Sequence, residues 1–255
     1  MQKRGQATIF IIIGVVVIIL VMLVVFLKGE ITLKPLSAEA KQNFLSSKLE
    51  PIRNHVKECI TDLGASYVKA LSLSGGDVNP SSFVFYKGND VQYLCYRDGG
   101  TGSCVQNILT RKNMESEINS YLDGSLPGCI NLDSFRDGRY DISAGSIDAD
   151  SEINDNNIFV SLNYPVKLIS GDVKAEIDSF SEVINLPLGK LHDLSIDILN
   201  DEVSDIYCDN VGYMVDNKGE VLVERHKPYP DTVYVLTHKD SGLVFQFGVE
   251  GIERV

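Results

Sequence analysis

The chain has 255 residues, of which 44% are apolar and 23% charged, with five Cys, no Trp and a formal charge of -12. Of its 23 bases only Lys3, Arg4 and Lys28 precede residue 29, and none of its 35 acids does, so the remainder carries 20 bases against 35 acids, a balance of -15. A surface of that sign repels phosphate, which argues against nucleic-acid binding and against polybasic docking to anionic lipid; an apolar share of about 40% beyond residue 28 still suffices for a packed core.

Ala7 to Leu27 reads ATIFIIIGVVVIILVMLVVFL, an uncharged run. At 1.5 Å per residue it spans about 31 Å, the hydrocarbon thickness of a bilayer. A cleavable secretory signal has a shorter apolar region of about 7 to 15 residues and a nearby small-residue site. Here the nearest A-x-A, Ala38-Glu39-Ala40, lies well past Lys28. The run is therefore expected to be a transmembrane helix that meets the lipid bilayer through residues 7–27. Lys3 and Arg4 on the short side place the N-terminus in the cytoplasm and residues 29–255 outside, on a single-pass protein of the cell membrane.

The residues ahead of the run, Lys3-Arg4-Gly5-Gln6-Ala7-Thr8-Ile9-Phe10, resemble the class III signal peptides of archaeal type IV pilins and pilin-like proteins. The resemblance covers Lys3 to about Leu27. It implies a processing site between Gly5 and Gln6, and a mature apolar helix that serves first as anchor and then as filament core. One position departs from the family: the Glu usual five residues into the mature chain is Phe10 here. The layout also resembles N-terminally anchored proteins of small-genome archaea, a likeness that implies a location and no activity.

Residues 29–77 read as a helical stalk or first helix. Ser37 offers a start without the acid of a capping box. Phe44, Leu45, Leu49, Ile52, Val56, Ile60, Leu63, Tyr67, Val68 and Leu71 then recur at steps of three and four, a single stripe that packs on its own domain. Pro51 lies inside the stripe and removes a backbone donor, so a kink near Lys48 to Pro51, or two successive helices, is expected. Gly75-Gly76-Asp77 closes it.

Beyond Asn79 the apolar period becomes two. Phe83, Phe85, Val91, Tyr93 and Cys95 flank the turn Lys87-Gly88-Asn89-Asp90, a hairpin pattern. A short helix from Arg111 to Leu122 ends at Asp123-Gly124 and Pro127. A meander follows, with strands near Tyr140 to Ile147, Ile158 to Ile169 and Val173 to Ile184. Leu188, Leu191, Leu194, Ile198 and Leu199 make a helix with Pro187 in its first turn. Two hairpins, turning at Asp216-Asn217-Lys218-Gly219 and Lys239-Asp240-Ser241-Gly242, complete an α+β exported domain, residues 78–255, whose sheet is mostly antiparallel.

Outside the cell thiols tend to oxidise, and five Cys allow two bridges and one leftover. Cys95 and Cys104, nine residues apart around a glycine-rich turn, are the first pair; Cys59 and Cys129 are the second, leaving Cys208 as a free thiol. Zinc is not expected, because no C-x-x-C occurs. His192, His226 and His238 give Cys208 no local catalytic signature. The acidic run Asp148 to Asn157 has Ile153 where a calcium loop needs Gly and Phe159 where it needs Glu, so it reads as a solvated loop between strands. Tyr207, Tyr213, Tyr229 and Tyr234 are either a contact surface or half-buried strand residues. H-E-x-x-H, G-x-S-x-G and the phosphate-cradling G-x-x-x-x-G-K-[ST] are absent from the sequence. The expectation is a protein without catalytic residues, metal or cofactor: a structural or adhesive surface protein, pilin-like, partnered by copies of itself or by other surface proteins. An anchored ligand- or protein-binding module is the alternative.

Overall fold

The computed structural model describes residues 13–23, 37–96, 104–204 and 210–251. The chain divides into two compact units, Met1–Lys41 and Gln42–Val255. In the first, residues 13–23 are helical (α1), and its large side chains from Ile13 to Leu23 are all about half exposed or more. Among the described residues no helix is long and apolar enough to cross a membrane. Of the apolar run 7–27, positions 13–23 are described and the rest lies outside the described residues.

A second helix, α2 (Ala38–Leu73), starts where expected, with the Ser37 hydroxyl accepting from Ala40 N–H at 3.2 Å. It runs unbroken through Pro51, against the expectation of two helices. Pro51 is on the exposed side, so the carbonyl it leaves unpaired faces water, while Leu49, Ile52, Val56, Ile60, Val68 and Leu71 hold the other face in the core. Because that stripe packs into the second unit, the division falls at residue 41/42, ahead of the stripe rather than behind it. Gly76 ends the helix at φ 100°, its N–H bonded to Leu71 O at 2.9 Å.

β1 (Phe83–Tyr86) and β2 (Asn89–Tyr96) form the expected hairpin about Lys87-Gly88, and β3 (Val105–Gln106) lies on the other half of β2. The next helix, α3 (Arg111–Cys129), is longer than the sequence suggested. Its start is a reciprocal cap between Thr110 and Asn113. It continues through Gly124 and Pro127 because Met114, Ile118, Leu122 and Leu126, at steps of four, are all fully buried.

After a 3₁₀ turn at Leu132–Phe135 come β4 (Asp141–Ala144), β5 (Asp148–Ile153), β6 (Ile158–Ser170) and β7 (Val173–Ile184). Strand β5 occupies most of the run read as a solvated loop. Its acids Asp148, Asp150 and Glu152 point outward while Ala149, Ser151 and Ile153 are buried, the period-two pattern of a half-buried strand. β4 and β5 both pair antiparallel with one edge of β6, and β7 with the other. Ile158, Val160, Leu162, Tyr164, Val166 and Leu168 turn the same face of β6 into the core.

The last elements are α4 (Leu188–Val203), α5 (Asn210–Asp216), β8 (Val221–His226), β9 (Thr232–His238) and β10 (Val244–Val249). Leu188, Leu191, Leu194, Ile198 and Leu199 are buried as read, and Pro187 takes the cap position of α4. Asp216-Asn217-Lys218-Gly219 is no hairpin turn. It ends α5, with Gly219 N–H bonded to Met214 O at 2.8 Å and Lys218 and Gly219 at φ 54° and 73°. The β9–β10 hairpin does turn at Lys239 to Gly242. The larger sheet has the order β1-β2-β10-β9-β8, with β3 on β2, and among the described residues its one parallel pairing is β10 with β2.

Candidate functional site

A groove of about 290 Å³ opens where three chain segments meet: the β5–β6 turn, the first three turns of α4 and the turn after α5. Asp155, Asn156, Lys190, Asp193, Asp197 and Asn217 line it. Two contacts hold the segments. Lys190 N–H donates to Asp155 O at 3.1 Å. Gly189 permits the approach, since a Cβ there would stand 2.6 Å from Asn154 O.

Arg111, the first residue of α3, crosses beneath the groove. Its guanidinium donates to Ile153 O at 3.1 Å, to Asp155 at 2.7 Å and to Asp193 at 2.6 Å. Burial opposes its charge, but the hydrogen bonds to the two carboxylates outweigh burial and hold the guanidinium above its ordinary value. Lys190 pairs with Glu220 and holds that carboxyl below its ordinary value by hydrogen bond and charge. Among the described residues Asp197 has no cationic partner, and burial, then Asp193 and Asp201, push its carboxyl up. The three lining carboxylates Asp155, Asp193 and Asp197 share one guanidinium, and Lys190 is matched by Glu220, so the lining carries two uncompensated negative charges, polar amides and no nucleophile set beside a base. Such a surface fits hydrogen-bonded or cationic groups. Among the described residues no three His, Cys, Asp or Glu are placed to hold a metal ion.

Of the residues singled out in the sequence, Asp155 and Asn156 of the acidic run and Asn217 of the expected turn reach this groove, whereas Cys59, Cys95, Cys104 and Cys129 do not line it. Cys59 and Cys129 have their sulfurs 2.06 Å apart and their Cα atoms 5.9 Å apart, joining α2 to the end of α3. Cys95 and Cys104 sit with Cα atoms 5.3 Å apart beside the β2–β3 pairing. Both pairings are those the spacing suggested. Gly5, Gln6 and Cys208 lie outside the described residues, as does Tyr207. The other tyrosines do not form one surface. Tyr234 is fully buried, stacked on Phe247 and bonded to Glu202; Tyr213 bonds Asp201; Tyr229 is 75% exposed. Reading by motif missed the groove, because its lining comes from three separate segments of the chain: Asn156 stands 34 residues before Lys190, and Asp197 20 residues before Asn217. The signal available was Gly189 ahead of Lys190 and Asp193 at a helix start.

No family model, no curated protein and no solved structure matches the chain.

Proposed function

We propose that the protein is a single-pass, membrane-anchored surface protein whose acidic α+β domain serves a structural or adhesive role outside the cell. The observation that carries this reading is the uncharged run Ala7 to Leu27 behind Lys3 and Arg4. Two further features support it. The described part of the run, residues 13–23, is helical with apolar side chains exposed, as a helix built to meet lipid would be. Two cysteine pairs at bonding geometry suit an oxidising compartment. The resemblance around Gly5 and Gln6 adds processing after Gly5, while Phe10 in place of the usual Glu weakens the pull between neighbouring subunits that assembles filaments.

A second reading, an anchored binding module, is favoured by the groove at Asp197, Asn156 and Asn217. Intact-mass measurement of the chain extracted from membranes tests the first reading. Retention of the apolar run, with Met1 to Gly5 removed, supports a processed anchor. A chain that begins near Lys41 rejects the anchor in favour of an ordinary cleaved signal.

A further inference from the structure

The bridge between Cys59 and Cys129 has a neighbour that a merely structural crosslink does not need. His55 lies one helical turn before Cys59, with its Nε2 4.0 Å from Cys59 Sγ and 3.2 Å from Cys129 O. Phe135 packs against the imidazole at 5.5 Å between ring centroids, so the ring is fixed from the side opposite its own helix. The two sulfurs are not equivalent. Cys59 is 2% exposed in the middle of α2, whereas Cys129 is the last residue of α3 and is partly open to solvent. Of the charged groups on the elements around His55, Arg53 pairs with Glu50, Lys57 with Glu182 and Arg136 with Asp133, leaving Glu58 and Asp62 at exposed positions of α2.

We propose that Cys59, Cys129 and His55 form a thiol–disulfide exchange site, addressed at Cys129 by a dithiol reductant or, in reverse, by a disulfide donor. An incoming thiolate attacks Cys129 Sγ, the accessible sulfur. The Cys59–Cys129 bond breaks, and its electron pair leaves on Cys59 Sγ. His55 Nε2, 4.0 Å from that sulfur, donates its N–H to the thiolate and stabilises it. The second thiol of the reductant then attacks the mixed disulfide, which frees Cys129 and leaves the reductant oxidised. Burial alone would make Cys59 the poorer leaving group, and a helix C-terminus disfavours a thiolate at Cys129. His55 decides between them, because the sulfur whose thiolate is better stabilised leaves faster. His55 is thus a positioning residue for exchange, and opening the bridge removes the covalent link between α2 and α3.

The test is the rate at which dithiothreitol opens each bridge in the full chain at fixed pH, read by quenching and peptide mapping. In wild type, Cys59–Cys129 opens with the first mixed disulfide on Cys129. His55→Phe slows that step about threefold or more, the factor that a Brønsted coefficient of about 0.4 to 0.5 gives for one unit of thiol basicity; His55→Gln, which keeps a donor, restores part of the rate. The Cys95–Cys104 bridge is the internal control and keeps its rate in every variant. Equal rates for wild type and His55→Phe overturn the proposal. So does a first adduct on Cys59, which is read in wild type and needs no variant to fold.

Discussion

The Glu115 carboxylate on α3 accepts the Ile153 backbone N–H of β5 at 2.9 Å, with both groups buried. Asp123, two turns further along, accepts Ala149 N–H at 2.8 Å, and between them Asn119 accepts from the Ser151 hydroxyl at 2.6 Å. The match is geometric. Four residues of helix advance about 6 Å and two residues of strand about 6.6 Å, so positions 115, 119 and 123 meet 153, 151 and 149 in antiparallel order. β5 pairs with β6 on one side only; its other edge would offer free donors to another strand, and α3 closes it with side-chain oxygens.

Removing one of these acceptors therefore exposes a specific weakness. Glu115→Ala leaves the Ile153 N–H buried without a partner and is expected to cost about 1 to 3 kcal/mol. Ser120→Ala, on the exposed face of the same helix, is expected to change stability by less than about 0.5 kcal/mol. Urea unfolding of the two variants compares them directly, and equal midpoints reject the edge-closing role.

The cysteine pairs differ in loop length and so in expected weight. Chain entropy gives about 4 kcal/mol for the 70-residue separation of Cys59 and Cys129 and about 3 kcal/mol for the nine-residue separation of Cys95 and Cys104. The paired Ser variants, melted under oxidising conditions, are expected to rank in that order. Non-reducing peptide mapping of the wild type is expected to leave Cys208 as the free thiol. A Cys208 peptide crosslinked to any other cysteine contradicts that assignment.

Tyr67 and Glu117 link α2 to α3 at 3.4 Å, with Tyr67 stacked on Tyr121 at 4.1 Å. Burial, and then the Glu117 charge, push the Tyr67 phenol from 10.0 up to about 12. Burial and the hydrogen bond to Asp231 push Tyr93 up as well. A phenol raised in the fold holds its proton longer than in the unfolded chain. Its contribution is complete below pH 10 and is lost as pH rises from 10 toward 12. Burial raises Tyr140 and Tyr164 too, so absorbance titration at high pH is expected to show several tyrosines, Tyr67 and Tyr93 foremost, ionising only as the fold is lost; Tyr67→Phe removes one of them. Full ionisation of all tyrosines in a still-folded protein contradicts the placement.

Much of the architecture is readable in the sequence where one rule acts alone. The α2 stripe, the Lys87-Gly88 and Lys239 to Gly242 turns and the α4 leucines each follow from local period or turn chemistry, and the two cysteine pairs from spacing. Strand β5 is hidden because its outward positions are acids and one inward position is Ser151, whose hydroxyl is satisfied by α3 rather than by an apolar core. Gly124 and Pro127 read as stops, but buried Leu126 and the Cys129 link carry α3 past them. The parallel pairing of β10 with β2 joins Tyr93 to Gly248, a distance along the chain at which no local pattern speaks. The groove is illegible for the same reason.

Gly189 offers a test of that groove's construction. Gly189→Ala places a methyl 2.6 Å from Asn154 O and 2.9 Å from Arg111 Cζ, so the β5–β6 turn and α4 must separate. The expected cost is about 1 to 3 kcal/mol, with faster amide exchange at Lys190, whose N–H donates to Asp155 O. Unchanged stability and exchange indicate that the turn yields freely and that the groove is not a fixed shape.

The anchored, outward-facing arrangement is tested most directly by protease added to intact cells, followed by alkaline extraction of the membranes. The expected result is that the domain beyond residue 29 is digested from outside while a fragment containing residues 7–27 stays in the membrane pellet. A charge placed at Val17 should weaken insertion by about 2.5 to 3.5 kcal/mol and shift chains out of that pellet. A chain protected in intact cells but digested after lysis, or one released whole by alkali, contradicts the arrangement.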